Sequence, residues 1–259
     1  MSEQMKDRVA VITGGNRGIG EAIAKAFAEE GAKIAIFARN EKAGSEVVQA
    51  ITEAGGEAKF YKTDVSDKTQ IDQNTEMVLK DFGKIDAWVN SAGICDIVPF
   101  LDSDEALWDR AINVNLKGVF LCCQAAVKAM LENGGTIVNI SSVSGKKPSS
   151  WQTVYCTTKF GVQGLSQSIA KEFADTNIRI NNICPNAVWT EMWDQNKYDY
   201  ARKRNMKPEE VKPYFENATP MKRLVTMKEL ADAALFLSTD KSSYMTGQSL
   251  NLNGGEVME

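Results

Sequence analysis

The chain has 259 residues, of which 43% are hydrophobic, 25% charged and 8% aromatic, the proportions of a folded globular protein rather than a disordered or fibrous one. Its formal net charge of −4 gives no electrostatic reason for a nucleic-acid partner, and no segment reaches the ~20 consecutive apolar residues of a membrane helix. It contains no histidine, which removes every Ser-His-Asp and Cys-His hydrolase arrangement.

Charges occupy the opening stretch MSEQMKDRVAVITGG where a secretory leader carries its apolar core, so a cytoplasmic protein is expected. Five cysteines without CxxC spacing, and no histidine to complete a ligand set, predict reduced thiols and no metal site. No repeat or Pro/Gly-rich linker divides the chain, so residues 1–259 are read as one domain.

Taken from the N-terminus, the first predicted strand, residues 9–13, runs directly into Thr13-Gly14-Gly15-Asn16-Arg17-Gly18-Ile19-Gly20 and then into a helix over 20–30 that stops at Gly31. Glycine at such a junction permits backbone conformations barred to other residues, and lets a pyrophosphate approach the amides at a helix N-terminus, whose partial positive charge favours an anion. The order strand, glycine turn, helix is that of a dinucleotide site.

A second strand over 34–38 and a helix over 41–54 follow, the helix ended by Gly55-Gly56. Further strands are predicted over 60–61, 85–90, 136–141, 178–184 and 250–252, and a capping box at Thr226-Met227-Lys228-Glu229 opens a helix to Ser238. Strand alternates with helix, and the near-continuous apolar strands are those of a parallel sheet covered on both faces. The expected fold is therefore α/β, a Rossmann-like doubly wound parallel sheet of about seven strands.

The second strand ends in Ala38-Arg39-Asn40. An acid there would accept hydrogen bonds from the ribose of NAD, whereas a guanidinium pairs with the 2′-phosphate of NADP. Arg39, with Arg17 from the glycine turn, favours NADP(H); Glu41 close by keeps NAD(H) as the alternative.

With no histidine, a proton donor must be Tyr, Lys, Cys or a carboxylate. In Tyr155-Cys156-Thr157-Thr158-Lys159 the tyrosine and lysine share one helix face, so the ammonium is expected to lower the phenol pKa and make it an acid and base near neutral pH. Taken alone, the spacing reads equally as an amphipathic helix face.

The spacing Thr-Gly-x-x-x-Gly-x-Gly at residues 13–20 resembles the signature of the classical short-chain dehydrogenase/reductase family, and the resemblance continues down nearly the whole chain. Ser142, thirteen residues before Tyr155, matches the family's serine-to-tyrosine spacing, and Asn115, three residues before Gly118, matches its asparagine, with Asn113 as local competitor. The resemblance implies that Tyr155 protonates a carbonyl as hydride reaches its carbon, Ser142 orients that carbonyl, and Lys159 and Asn115 complete a proton relay.

It also implies cofactor contacts at Gly14, Asn16, Arg17, Gly18, Ile19, Gly20, Arg39, Asn40, Asp64, Val65, Asn90, Ala92, Gly93, Tyr155, Lys159, Pro185, Val188 and Thr190. Asn186 stands where the family usually has glycine, a turn that asparagine tolerates through left-handed backbone.

The stretch 190–219 is longer than a core connection requires and reads as a substrate lid, or else an oligomer contact. Within it, the mixed-charge run at 197–207 reads as a solvated helix face. Ser144, Gln152, Asn186, Trp189 and Trp193, near Cys95 and Trp151, are the expected substrate-pocket residues.

The lid resembles that of family members acting on sugar alcohols, diols and small hydroxy compounds. A hydroxysteroid dehydrogenase, a 3-oxoacyl-thioester reductase and a non-catalytic NADP-binding sensor remain alternatives. The resemblance further implies a homotetramer built on the helices near 113–131 and 155–173.

Overall fold

The computed structural model describes residues 3–259; Met1 and Ser2, part of the domain range read from the sequence, lie outside the described residues. Seven strands, β1 Val9–Thr13, β2 Lys33–Ala38, β3 Glu57–Lys62, β4 Ala87–Asn90, β5 Gly135–Ile140, β6 Ile178–Pro185 and β7 Ser249–Leu252, pair in the order β3-β2-β1-β4-β5-β6-β7. Every pairing is parallel.

Strand alternation sends neighbouring residues into two separate apolar layers. Ala10 and Ile12 of β1 pack with helices α1 (Gly18–Glu29) and α2 (Glu41–Glu53) and with a late helix over Met227–Leu237. Val9 and Val11 pack with α3 (Lys68–Phe82), α5 (Gly118–Met130) and α6 (Thr153–Glu172) on the other face. Both faces are covered, and each fully buried aliphatic side chain contributes about 1.5–3 kcal/mol by leaving water.

Between α3 and α5, α4 (Glu105–Ile112) passes through a π-helical turn, Asn113–Lys117, directly into α5. Such turns recur at functional sites. The predicted capping box holds: Thr226 Oγ1 accepts from Glu229 N at 3.2 Å, and Glu229 Oε2 accepts from Thr226 N at 2.9 Å.

The 190–219 stretch folds as two helices, α7 Glu191–Arg204 and α8 Val211–Ala218, joined through a single turn at Pro208–Glu210; the late helix Met227–Leu237 is α9. Tyr200, Ala201 and Val211 are buried there with Ile97, against Trp189, Trp193, Tyr214 and Phe215, so the pair carries a small core of its own. The run at 197–207 is only partly a solvated face: Arg202 is exposed and lies 3.2 Å from Asp199, but Tyr200 and Ala201 are buried and Lys203 Nζ donates to Ser149 Oγ at 2.7 Å.

A buried polar chain crosses the sheet and anchors α6. Asn90 Nδ2 donates to Asn139 Oδ1 (2.8 Å), Asn139 Nδ2 to Ser166 Oγ (2.9 Å), and Ser166 Oγ to Asn182 Oδ1 (2.6 Å). Fully satisfied networks of this kind fix one arrangement of the elements they join. Here they join β4, β5 and β6 to the helix that carries Tyr155 and Lys159.

Candidate active site

A cleft lies beyond the carboxyl ends of the strands, at the boundary between β1 and β4 where strand order reverses, the usual ligand position in a doubly wound sheet. Its floor is the glycine turn. Gly14 and Gly18 have φ of +66° and +56°, and a Cβ on Gly14 would sit 2.9 Å from Ala92 Cα.

Beneath the turn, a Cβ on Gly20 would lie 2.3 Å from the Gly14 carbonyl oxygen. Thr13 Oγ1 accepts from Ser91 N and Ala92 N at 3.1 and 3.2 Å, which ties the ends of β1 and β4 together. Gly14, Asn16, Arg17, Gly18 and Ile19 then line the cleft at the N-terminus of α1. A glycine-containing turn at a helix N-terminus suits a dinucleotide diphosphate.

Arg39, Asp64, Val65, Ala92, Gly93, Pro185, Val188 and Thr190 also line the cleft. Arg39 is exposed, its Nη1 4.0 Å from Asp64 Oδ2. Burial pushes the Asp64 carboxyl up, but hydrogen bonds from the Ser66 hydroxyl and N–H, with Arg39, outweigh it and hold the group below its ordinary range. Arg17 is engaged elsewhere, 3.5 Å from Glu191 at the start of α7.

Three expected cofactor residues have other roles. Asn40 caps α2, accepting from Ala43 N at 3.2 Å. Asn90 is not a cleft residue: it shares a strand face with Trp88, whose Nε1 donates to its Oδ1 at 2.9 Å, and it heads the buried chain under the sheet. Gly20 packs below the turn rather than on the cleft surface.

The proposed catalytic residues come together from three elements. Ser142, just beyond β5, lines the cleft and accepts from Ser144 N at 3.0 Å. Tyr155 and Lys159 line it from α6, with Lys159 Nζ donating to Ile140 O at 2.8 Å and lying 5.6 Å from the Tyr155 ring centre.

Asn115, buried in the π turn, clamps the backbone of Ile94: its Oδ1 accepts from Ile94 N at 2.9 Å and its Nδ2 donates to Ile94 O at 2.8 Å. An atom placed on Gly93 would lie 3.4 Å from Asn115 Oδ1 and 3.9 Å from Lys159 Nζ. That common neighbour favours Asn115 over Asn113 as the asparagine of the site.

The expected lowering of the tyrosine pKa is not what this state shows. Burial pushes the Tyr155 phenol up, the nearby Cys95 thiol adds to it, and the Ser142 contact only partly opposes them. Taking the phenol out of water disfavours its charged form. The phenol is thus held neutral.

Burial also pushes the Lys159 ammonium from 10.5 down to about 8, and acts likewise on Lys203 of α7, with Arg204 adding to the effect there. Between about 8 and 10.5 the unfolded chain binds more protons than the folded one at these two lysines, so they make stability rise with pH across that window. Lys203→Met is expected to flatten part of that rise in melting temperature, followed by thermal denaturation across the same pH range.

Of the expected substrate-pocket residues, Asn186 and Trp193 line the cleft, and Trp189 stacks on Trp193 with ring centres 6.2 Å apart. Ser144 and Gln152 are buried behind the wall, Gln152 Nε2 donating to Cys95 Sγ at 3.3 Å. Trp189, Ser144 and Gln152 therefore support the pocket without lining it. Asn186 has no left-handed backbone; the positive φ values at asparagine fall on Asn177 and Asn205.

Sequence reasoning missed Ile94, Val114, Ile140 and Met192 in the cleft wall. They are ordinary apolar residues, and no local pattern distinguishes them from core. It also missed Glu191, whose contact with Arg17 joins segments far apart in the chain.

A family model described as "Enoyl-(Acyl carrier protein) reductase" matches residues 14–256. The 3-oxoacyl-[acyl-carrier-protein] reductase FabG of Chlamydia muridarum is 37% identical over 257 residues, covering 98% of this chain and 99% of that protein. Galactitol 2-dehydrogenase of Agrobacterium fabrum is 34% identical over 260 residues, with coverage of 98% and 99%.

A crystal structure of an actinorhodin polyketide ketoreductase variant with NADPH superposes with a TM-score of 0.93 at 31% identity, covering 99% of both chains. With the parallel sheet, the glycine turn and the Ser142–Tyr155–Lys159 grouping in view, this chain belongs to the classical short-chain dehydrogenase/reductase family of oxidoreductases.

Proposed function

We propose that the protein interconverts a secondary alcohol and a ketone with NADP(H), through Asn115, Ser142, Tyr155 and Lys159. The observation that carries this reading is the convergence of Ser142, Tyr155 and Lys159 on one cleft wall beside the glycine turn. A bound nicotinamide supplies or takes the hydride.

In the reducing direction Tyr155 Oη gives its proton to the carbonyl oxygen, while the Ser142 hydroxyl donates a hydrogen bond that stabilises the charge developing there. In the oxidising direction the phenolate takes the hydroxyl proton back. Lys159, oriented by Ile140 O, holds positive charge beside the ring, and Asn115 keeps the 93–94 backbone in place as part of the relay.

Ala38 in place of an acid, followed by the exposed guanidinium of Arg39, supports NADP(H) over NAD(H). Charge-assisted hydrogen bonds contribute about 1.5–3 kcal/mol, so Arg39→Ala is expected to weaken NADPH binding roughly 10- to 100-fold and leave NADH nearly unaffected. Fluorescence titration checks it, and a wild-type preference for NADH would contradict the cofactor reading.

For substrate, the polar amide of Asn186 and the indole of Trp193 under the α7–α8 pair support a sugar alcohol, diol or small hydroxy compound, the class to which galactitol 2-dehydrogenase is named. Reduction of a 3-oxoacyl thioester is the second reading, favoured by the identity to the Chlamydia muridarum FabG. Nicotinamide absorbance of the purified protein against polyols, diketones, steroids and acyl thioesters separates them.

Phe120 on α5 and Phe160 on α6 are 45% and 46% exposed, which supports burial of these helices against further copies of the chain. A tetramer is expected by light scattering. We assign the α7–α8 pair as the substrate lid.

A further inference from the structure

Tyr155, Lys159 and Gln163 recur at intervals of four along α6 and share one face of that helix. The first two line the cleft, and the third lies beyond it, against the short turn Val143–Gly145 that follows Ser142. Gln163 Nε2 donates to Gly145 O at 2.5 Å. A carbonyl oxygen only accepts, so the nitrogen of the amide is the atom that faces it.

Further hydrogen bonds carry that contact to the Ser142 hydroxyl. Gly145 N donates to Ser142 O at 2.9 Å, and Ser144 N donates to Ser142 Oγ at 3.0 Å, so the turn holds the serine at both its carbonyl and its side chain. On the other side, Ser141 Oγ donates to Lys159 O at 3.1 Å. Turn and helix thus exchange hydrogen bonds before and after Ser142, one donated by each.

The two surfaces also meet closely. A Cβ on Gly145 would lie 2.4 Å from Gln163 Nε2 and 2.7 Å from Lys159 O. Glycine at 145 lets the turn reach the helix, and the amide at 163 fixes how near it stays.

Ser144 N occupies a lone pair of the Ser142 oxygen, which leaves the hydroxyl proton for donation into the cleft. Where that proton points depends on where the turn sits relative to Tyr155 and Lys159. Misplacing a reacting group by about 1 Å costs up to about a hundredfold in rate.

We propose that Gln163 is a positioning residue, which holds the 142–145 turn on α6 and so sets Ser142 against Tyr155 in the transition state. The working face of α6 is then Tyr-x3-Lys-x3-Gln rather than Tyr-x3-Lys. This rests on the alcohol–ketone reading above and adds a residue to it.

The test is a double-mutant cycle on kcat for the reduction of butane-2,3-dione by NADPH. Gln163→Met keeps the length of the side chain and removes the donor. Gly145→Ala drives the same contact apart from the other element, so damage to α6 alone cannot produce both results. Each is expected to lower kcat about ten- to a hundredfold, with KM and NADPH affinity by fluorescence titration within about twofold of the wild type. In a Ser142→Ala background each is expected to change kcat by less than about twofold, because the group being positioned is gone.

Equal losses with Ser142 present and absent overturn the proposal, since they reveal a general effect on folding or on Lys159. So does a kcat that neither variant changes, or a loss confined to KM. Absence of wild-type turnover with this dione and with every other alcohol and ketone defeats the alcohol–ketone reading, and this proposal with it. That result is distinct from an active enzyme in which Gln163 and Ser142 act independently.

Discussion

Tyr155→Phe is expected to lower turnover about a thousandfold while leaving NADPH affinity within a fewfold of the wild type. The substitution keeps the ring that lies 5.6 Å from Lys159 Nζ and removes only the hydroxyl. Positioned general acid–base groups contribute about 10²–10⁴-fold, and no histidine exists to take over. The adjacent Ser142 hydroxyl is no substitute, because it stabilises charge without a pKa suited to proton transfer.

The same variant separates an enzyme from a silent NADP-binding sensor. A sensor would lose nothing measurable. Steady-state absorbance gives turnover, and quenching of the cleft tryptophan Trp193 on titration with NADPH gives affinity in the same preparation.

The second large effect is at the glycine turn. Gly20→Ala would place a methyl 2.3 Å from the Gly14 carbonyl oxygen and 2.7 Å from its carbon, both backbone atoms that cannot rotate away. The turn must shift, and the floor of the cleft shifts with it. Overpacking of this kind costs about 1–3 kcal/mol of stability, and loss of detectable NADPH binding is expected alongside.

Gly164→Ala on α6 is the control. Nothing in the same copy of the chain lies within 4 Å of the added carbon, and Gly164 is not a cleft residue, so NADPH binding is expected to be unchanged. Isothermal titration of NADPH should therefore show a loss of binding for Gly20→Ala and none for Gly164→Ala.

Much of this geometry follows from local pattern. β1 and the turn after it are legible because a buried parallel strand is a continuous apolar run and the turn needs glycine where φ is positive. β3 is only partly legible. At the edge of the sheet it alternates exposed and covered residues, so only Phe60 and Tyr61 stand out of Glu57–Lys62.

The misplaced residues share one cause: their roles depend on which face, or which distant segment, they meet. Asn90 sits two positions after Trp88 and so points with it beneath the sheet, a consequence of strand alternation that outweighs the motif around it. The upward shift of the Tyr155 phenol depends on burial supplied by the whole fold, whereas the Tyr155–Lys159 spacing shows only the neighbouring charge. The pairing of Arg17 with Glu191 requires the start of α7 to lie against the turn.

The central claim is hydride transfer from a nicotinamide to a carbonyl carbon within this cleft. Incubating the purified protein with NADPH deuterated at the transferred position of C4 and a small hydroxyketone, followed by mass spectrometry of the product, tests it most directly. The account predicts an alcohol carrying one deuterium at the carbinol carbon, formed by the wild type and all but abolished by Tyr155→Phe. An alcohol without deuterium, or undiminished labelling by the Tyr155→Phe variant, would contradict it.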